Sequence, residues 1–263
     1  MINMGKYAYP ILPRTGFCNM LNPWARAYLW ARDNGASMLA PNWVKLLRIG
    51  PWLRGERDKR YYFGMITNDG YISGLKKRLI LLRHAKINET DIRDKVRECV
   101  VIFSGQRNDL LDFPHQARAL NGELNRIAAP TIKSRLRELP QKFIGVHIRR
   151  GDFKIIGQTL PEDYYCTAIS HAIKLQGNIP IIVCSDASET ELSYLRQFSN
   201  LYVQENNPSL LDLLTLSRAS CLVCTNGSSF SEWAAFLGGM QSIWSRDGRT
   251  INVDKFDSEV IFI

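Results

Sequence analysis

The sequence predicts an α/β fold whose second half is a mostly parallel, doubly wound sheet. Two observations lead to this prediction. From residue 143 onward, short apolar runs rich in Val and Ile alternate with amphipathic segments, which is the pattern of repeated strand–helix units. Several of these runs end in polar residues, as strands do when their carboxyl ends line a ligand crevice. With 263 residues, of which 45% are hydrophobic, the chain can bury one or two cores.

The first half of the chain holds fewer regular units than the second. Pro10 lies inside the first apolar run and predicts an edge or irregular strand there, because proline cannot donate to a sheet ladder. Residues 54–60 (RGERDKR) form a charge run that is typical of a solvated loop. We predict strands at residues 7–12, 37–41 and 100–104, helices at 20–34 and 42–49, and one or two helices within 108–139.

Residues 76–86 (KKRLILLRHAK) combine a basic cluster with an apolar centre. Such a segment is typical of a half-buried helix or strand with a solvated end, and we favour this interpretation. The alternative is an amphipathic segment that lies on an anionic membrane surface.

The second half alternates between strands and helices at a regular pitch. Residues 161–163 (PED) stand where its first helix begins. Proline is common at that position, and the two acidic residues are favoured by the positive end of the helix dipole. Pro140 precedes this half, and we place a domain boundary there, which divides the chain into domains at 1–140 and 141–263. We predict strands at 143–149, 179–184, 201–204 and 221–225, and helices at 163–175, 189–198, 209–219 and 230–237.

Charge is divided unevenly between the two halves. The net charge is +9, but residues 1–142 carry 25 Lys and Arg against 12 Asp and Glu, a balance of +13, and the remainder carries −4. The basic half could therefore meet an anionic membrane, a nucleic acid or a phosphorylated acceptor. No window of about 18 apolar residues and no signal-peptide pattern is present, so we expect a cytoplasmic protein. The six cysteines sit mostly in apolar runs, which predicts reduced thiols rather than a zinc site.

The stretch from Phe143 to Phe153 (FIGVHIRRGDF) changes from a buried strand to a polar end within three residues. Arg149 and Arg150 would project from the carboxyl end of this strand, where α/β proteins bind ligands. The planar guanidinium fork suits a diphosphate, so we interpret both side chains as anion ligands. Gly151 would permit a tight exit turn. The alternative is a strand end at the surface whose arginines are simply solvated.

Other strand ends carry polar residues that fit the same pocket. Ser228 and Ser229 follow one strand and could bind phosphate, and Asp186 or Asp212 could bind a ribose or a base. The absence of the glycine-rich dinucleotide and P-loop motifs argues against those two classes of nucleotide site. There is no D-x-D motif to hold a metal, so we expect no metal site and assign charge neutralisation to the arginines. In the first half, Gly16 and Asn19 lie in a turn before a helix, where backbone amides could meet an anion or a sugar hydroxyl; an ordinary turn with Asn19 near the helix cap is the alternative.

These motifs, taken together, resemble those of one enzyme family. Residues 147–152 (HIRRGD) are similar to the H-x-R-R-G-D signature of glycosyltransferase family 11, the α-1,2-fucosyltransferases, and more loosely to α-1,6- and protein O-fucosyltransferases. Residues 226–235 (NGSSFSEWAA) are similar to the family's N-S-S-F-S-W-W-A-A motif, and residues 16–20 (GFCNM) to its G-L-G-N-Q motif. The helix that carries Asp212 also resembles the one that precedes the second motif. Differences from the family lie at Phe153, at Glu232 and at residues 18–20.

The resemblance implies a GT-B-like enzyme in which two Rossmann-like domains face a cleft, the second of them binding the nucleotide sugar. It implies metal-independent, inverting transfer of fucose from GDP-fucose. Arg149 would hold the β-phosphate and stabilise departing GDP, and Arg150 would support it or pair with an acid. His147 with Asp186 or Asp212 would serve the guanosine, and Ser228 and Ser229 the phosphates. The candidate catalytic bases are Asp152, which we favour, and Glu162, Asp163 and Glu232.

The predicted function is therefore transfer of fucose from GDP-fucose to a hydroxyl of a glycan or lipid-linked glycan, with an α-1,2 linkage, in cell-surface polysaccharide synthesis. The expected location is the cytoplasm, with peripheral contact to the inner face of a membrane. No cofactor is expected besides the donor substrate. The alternatives are transfer of another GDP-linked deoxysugar and a non-catalytic module that binds GDP-sugars. A basic nucleic-acid-binding protein is disfavoured, because the sequence shows no recognition module.

Overall fold

The helices and strands form two α/β units, each built on one parallel sheet, which follow one another along the chain and are here called the first and second layers. A computed structural model describes residues 5–44, 62–92, 98–106, 110, 113, 115–247 and 258–263. The strands are β1 (Lys6–Ile11), β2 (Ser37–Met38), β3 (Ala85–Asn88), β4 (Cys99–Ser104), β5 (Ile144–Ile148), β6 (Ile181–Ser185), β7 (Leu201–Gln204), β8 (Cys221–Val223), β9 (Gln241–Trp244) and β10 (Val260–Phe262). The helices are α1 (Phe17–Asp33), α2 (Gly74–Arg83), α3 (Ala117–Ile127), α4 (Pro130–Arg137), α5 (Gly151–Ile155), α6 (Glu162–Gln176), α7 (Ser209–Leu216) and α8 (Ser229–Gly238), with 3-10 helices at Glu89–Asp91 and Thr190–Gln197.

The first sheet is parallel and has the strand order β2-β1-β4-β3. The strand that contains Pro10 is internal, so the prediction of an edge strand was wrong. Proline is tolerated there because β2 pairs with Tyr7 and Ala8 and has ended by the level of Pro10. The missing N–H therefore faces a side that offers it no ladder partner.

The second sheet confirms the predicted parallel, doubly wound architecture. Its strand order is β7-β6-β5-β8-β9-β10, and every adjacent pair is parallel. In chain order this is 3-2-1-4-5-6, which reverses direction between β5 and β8. All five residues of β5 are buried, because α6 packs on one face of the sheet and α7 and α8 pack on the other. Open α/β sheets bind ligands at such a reversal, beyond the carboxyl ends of the strands.

The two layers share one hydrophobic core. A single buried cluster contains residues of α1 and β4 from the first layer and of α7 and α8 from the second. Within it, Trp233 of α8 donates a hydrogen bond from Nε1 to Oδ1 of Asn22 in α1, at 3.1 Å. Asn121 of α3 donates from Nδ2 to the carbonyl of Leu237, at 3.0 Å. These contacts bring the start of α1 close to the carboxyl edge of the second sheet.

The structure adjusts several predicted boundaries. The segment 76–86 falls on helix α2 and strand β3, and the predicted helix 189–198 is a 3-10 helix at Thr190–Gln197. Strands β9 and β10 were missed by the sequence analysis. Residues 45–49 of the predicted helix 42–49 and the predicted loop at 54–60 lie outside the described residues. Of the described helices, none has both the length and the apolar character that crossing a membrane requires.

Candidate active site

Two cavities meet beyond the carboxyl ends of β5, β6 and β8. The first has a volume of about 290 Å³, and the second has a volume of about 220 Å³. Three residues line both cavities: Arg149, Ser209 and Phe230. The first cavity is also lined by His147, Cys184, Ser185, Asp186, Gln204, Asn206, Asn207 and Asp212. The second is also lined by Gly16, Phe17, Cys18, Asn19, Tyr62, Asp152, Phe153, Gly227, Ser228 and Ser229.

Arg149 lies at the junction of the two cavities and contacts two carboxylates. Its Nη1 is 2.7 Å from Oδ2 of Asp186, and its Nη2 is 2.7 Å from Oδ1 of Asp152. Its backbone N–H donates to Oγ1 of Thr225 at 3.1 Å, which ties the end of β5 to the end of β8. The two acids balance a cation that would otherwise be costly to hold in a half-buried position. The guanidinium is therefore fixed where a ligand that enters either cavity would meet it.

Arg150 turns away from this junction. Its guanidinium lies 5.9 Å over the ring of Tyr165, and its Nη2 is 4.0 Å from Oε1 of Glu162. Its buried Nε and Nη2 atoms have no hydrogen-bond partner among the described residues. The two adjacent arginines therefore occupy different environments, although both directly follow the end of β5. A phosphate contact by Arg150 stays a prediction, whereas its pairing with an acid corresponds to the observed neighbour Glu162.

His147 belongs to a buried hydrogen-bond network behind the first cavity. Its Nδ1 is 2.7 Å from Oγ of Ser231, and that oxygen also accepts the N–H of Thr225 at 2.9 Å. Oγ1 of Thr225 in turn donates to the carbonyl of His147 and lies 2.8 Å from the hydroxyl of Tyr165. Burial, with a smaller effect from the charge of Arg149, lowers the pKa of His147 to about 3. The imidazole is therefore neutral near pH 7.

The lining of the first cavity also carries the side-chain oxygens of Asn207 and Asp212. Nδ2 of Asn207 donates to Oδ1 of Asp212 and to Oε1 of Gln204, both at 2.8 Å. This leaves Oδ1 of Asn207 buried and without a hydrogen-bond donor among the described residues. Asp186 has a different neighbourhood, because its Oδ1 accepts the backbone N–H of Arg150 at 2.7 Å. Asp186 and Asp212 are the two acids predicted to bind a ribose or a nucleobase. Asp212 lies beside Asn207, and Asp186 lies beside Arg149.

The second cavity is bounded by the N-termini of two helices, one from each layer. Gly16 is the N-cap residue of α1, and Ser228 is the N-cap residue of α8. Asn19 and Ser229 lie in the first turns of these helices and also line the cavity. Helix N-termini present free backbone N–H groups and a positive dipole end, which favour an anion. The structure thus brings the four predicted residues of these turns together around one space.

The four candidate bases lie in different places. Asp152 lines the second cavity, Glu162 is exposed beside Arg150, and Asp163 is exposed at the start of α6. Glu232 lies in the first turn of α8, and its charge adds to the effect of burial in raising the pKa of the Cys18 thiol. Position in the cavity therefore distinguishes Asp152 from Glu162 and Asp163.

Several residues of the site were not identified from the sequence. Asn207 could have been found by the rule that found Asp186, because it follows the end of β7 in a polar run (Asn206-Asn207-Pro208). Ser231 and Tyr165 lie inside helices, and nothing in their spacing indicates that they meet Thr225. Among the described residues, no group of three or more His, Cys, Asp or Glu is placed to hold a metal ion.

Comparison with solved structures reveals similar folds. A NodZ fucosyltransferase from Bradyrhizobium is 16% identical with a TM-score of 0.60, and the match covers 90% of this chain and 94% of that chain. Crystals of NodZ, an α-1,6-fucosyltransferase, were soaked with GDP-fucose, and that structure matches with a TM-score of 0.59. POFUT1 in complex with GDP is 11% identical with a TM-score of 0.53, and the match covers 91% of this chain and 98% of that chain. At these identities the likeness concerns the fold, and it confirms the predicted GT-B-like architecture.

Sequence comparisons identify the family. WbnK, an O-antigen biosynthesis glycosyltransferase of Escherichia coli, is 34% identical over an alignment of 102 residues, and the match covers 35% of this chain and 33% of that protein. The match thus spans about a third of the length of this curated relative. The family model for glycosyl transferase family 11 matches residues 107–259, more than half of the chain, and this stretch includes the motifs at 147–152 and 226–235. The chain belongs to glycosyl transferase family 11.

Proposed function

We propose that this protein transfers fucose from GDP-fucose to a hydroxyl of a glycan, without a metal and with inversion at the anomeric carbon. The observation that carries the proposal is the position of Arg149 at the junction of two cavities. One cavity would take the nucleoside, and the other would take the fucose and the acceptor. The diphosphate between them would then lie against the guanidinium, which is the side chain best suited to it.

The lining of the first cavity supports the proposal that the nucleoside carries a guanine base. Guanine presents two adjacent kinds of N–H donor on its base-pairing edge, whereas uracil presents one N–H. Asp212 and Asn207 both line this cavity, and their side-chain oxygens would accept these two kinds of donor. The rings of His147 and Phe230, stacked at 5.0 Å, form an apolar wall of the kind that nucleosides pack against. A neutral imidazole suits this wall, because it adds no desolvated charge.

In the proposed reaction, the charge on Arg149 would assist the departure of GDP. When the donor binds, a phosphate oxygen would replace one of the two carboxylates that now contact the guanidinium. Negative charge grows on the diphosphate as the glycosidic bond breaks, and a fixed cation beside it stabilises that charge. Asp186 would stay with Arg149, because its other oxygen is held by the N–H of Arg150. Asp152 is the carboxylate that we expect to be displaced.

Asp152 is also the proposed catalytic base. It lines the second cavity, where the acceptor hydroxyl would enter. In the proposed step, the carboxylate takes the hydroxyl proton while the acceptor oxygen forms a bond to the anomeric carbon. The bond from that carbon to the diphosphate breaks, and GDP leaves with the electron pair. Attack from the face opposite GDP gives inversion.

The proposed acceptor is a growing surface polysaccharide, free or linked to a lipid, and the proposed linkage is α-1,2. The name of the curated relative, an O-antigen biosynthesis glycosyltransferase, supports the acceptor class. The proposed setting is the cytoplasmic side of a membrane, which is supported by the six cysteines that are present as free thiols. Nuclear magnetic resonance of the product would establish the linkage.

The test is a calorimetric titration with GDP-fucose, GDP-mannose and UDP-galactose in EDTA, followed by a turnover assay with GDP-fucose. We expect the two GDP-sugars to bind and GDP-fucose to be turned over. Arg149→Ala should weaken GDP binding at least about tenfold and lower turnover about 100-fold or more. The matched control is Arg196→Ala, because Arg196 is 73% exposed and pairs with Glu189 on the surface.

Each other outcome has a defined meaning. Turnover of a different GDP-sugar, with GDP-fucose unused, would show that the transferred sugar is that one and not fucose. Binding of GDP without any transfer or hydrolysis would indicate a non-catalytic module. An Arg149→Ala variant that turns over GDP-fucose normally would show that this residue does not act on the diphosphate.

A further inference from the structure

Helix α2 contacts the outer face of the first sheet with one side only. Ile80 is its buried residue, and it packs with Leu39 and Val100. Lys77 lies on the same side, because its Nζ donates to the carbonyl of Ala40 and stands 4.5 Å from the ring centroid of Tyr9. These contacts fix the orientation of the helix. The opposite side of α2 therefore faces solvent.

That solvent-facing side carries three leucines. Leu75, Leu79 and Leu82 are 72%, 40% and 81% exposed. Spacings of four and three residues place them on one face of a helix, so they form a continuous strip, here called the leucine strip. Single exposed apolar residues are ordinary on protein surfaces, but an apolar strip bordered by polar residues marks an interaction surface.

Basic residues border the leucine strip. Lys76, Arg78 and Arg83 are exposed on the same helix, and Lys86 is exposed on the adjoining strand β3. In the sequence from residue 74 to residue 88 there are five Lys and Arg and neither Asp nor Glu. An apolar face with lysines and arginines beside it is the pattern of helices that lie in the interface of anionic membranes.

We propose that the leucine strip and its basic border bind an anionic membrane surface, with the leucines inserted among the lipids and the cations against the headgroups. A second copy of this chain fits the strip poorly. A two-fold interface centred on it would place the same basic residues against each other, and like charges across an interface are unfavourable. The inference is independent of the donor, because α2 contributes no residue to the two cavities.

The test is flotation of the full chain with vesicles of phosphatidylcholine, alone or with about 30% phosphatidylglycerol. We expect the protein to float with the anionic vesicles and not with the neutral ones. Leu82→Glu should weaken binding to the anionic vesicles about tenfold, because it removes an inserted apolar group and adds a repelled charge. Leu175→Glu is the matched control, since Leu175 is 43% exposed on α6 of the second layer and should not change binding.

Two further measurements keep the result unambiguous. Circular dichroism would show that Leu82→Glu keeps the fold of the wild-type chain, so a lost membrane contact can be separated from a misfolded protein. Light scattering without vesicles would give the oligomeric state. Failure of the wild-type chain to float with anionic vesicles would overturn the proposal, as would equal binding by Leu82→Glu. A wild-type dimer that Leu82→Glu converts to monomers would assign the strip to a second copy instead.

Discussion

At the scale of single residues, Arg149 and Arg150 leave the end of β5 in different directions. Arg149 contacts two carboxylates at the junction of the cavities, and Arg150 lies beside Glu162 and over the ring of Tyr165. A guanidinium has five N–H donors, and under the proposed function the diphosphate replaces one of these two acids rather than adding to them. Donor affinity should therefore reflect the difference between a phosphate contact and a carboxylate contact.

This exchange predicts that substituting Asp152 separates binding from catalysis. Asp152→Asn should lower turnover of GDP-fucose about 100-fold, because the amide cannot accept the acceptor proton. GDP should bind as tightly as before or more tightly, because a charged competitor for Arg149 is gone. Calorimetry and a transfer assay measure the two effects, and Glu162→Gln is the control. Parallel losses of affinity and turnover would mean that Asp152 positions the donor and is not the base.

The buried His147 predicts a pH dependence of stability. Its pKa is about 3 in the folded protein and about 6.5 in an unfolded chain, so the unfolded state binds more protons between these values. The free energy of unfolding should therefore decrease on acidification below about pH 6.5, by up to about 1.4 kcal/mol per pH unit from this group. Urea denaturation at pH 7.5 and pH 5 measures it. His147→Gln should show the smaller decrease, and equal decreases would mean that this imidazole is not the source.

At the scale of elements, the site exists because strand ends approach one another closely. The turn from β5 into α5 passes so near to the end of β6 that a Cβ atom on Gly151 would lie 2.5 Å from Oδ2 of Asp186. Gly151 stands at this turn, as predicted, but its φ is not positive, so the turn does not need glycine for its backbone conformation. Glycine is required there for space, because Asp186 must reach both Arg149 and the N–H of Arg150.

Gly151→Ala should therefore disturb the site more than the fold. The methyl group would displace the Asp186 carboxylate and misplace Arg149, and we expect GDP binding to weaken about tenfold. The control is Gly122→Ala, because a Cβ at that position of α3 meets nothing within 4 Å and replaces a poor helix former. Calorimetry with GDP compares the two variants. An unchanged affinity for Gly151→Ala would show that Asp186 does not hold Arg149 in its binding position.

At the scale of the whole molecule, the two layers depend on each other. The core cluster that spans them contains the hydrogen bond from Trp233 to Asn22, and the second cavity uses the start of α1 together with the start of α8. The first cavity is lined by residues of the second layer alone, but the second cavity needs both layers. The domain boundary near residue 140 remains a proposal. Because the two layers share a core, we do not expect either layer to fold independently.

We predict that both layers unfold in one transition and that Asn22→Ala destabilises the whole chain. The substitution leaves the buried indole N–H of Trp233 without its acceptor, at a cost of about 1–3 kcal/mol. Urea denaturation followed by circular dichroism and by tryptophan fluorescence measures the loss. Asn34→Ala, at the exposed C-cap of the same helix, is the control and should cost less. Separate transitions from the two probes would contradict the shared core.

The sequence by itself determined the α/β class, the parallel second sheet, the family and the strand ends that carry Arg149, Asp186 and Ser228. These features follow from local periodicity and from motifs, which are properties of neighbouring residues. Only the tertiary structure decided which side chains meet. It separated Arg150 from the cavities, placed Asn207 beside Asp212, and turned the leucines of α2 toward solvent. Such outcomes depend on contacts between residues far apart in the chain, and local patterns do not encode the packing that selects them.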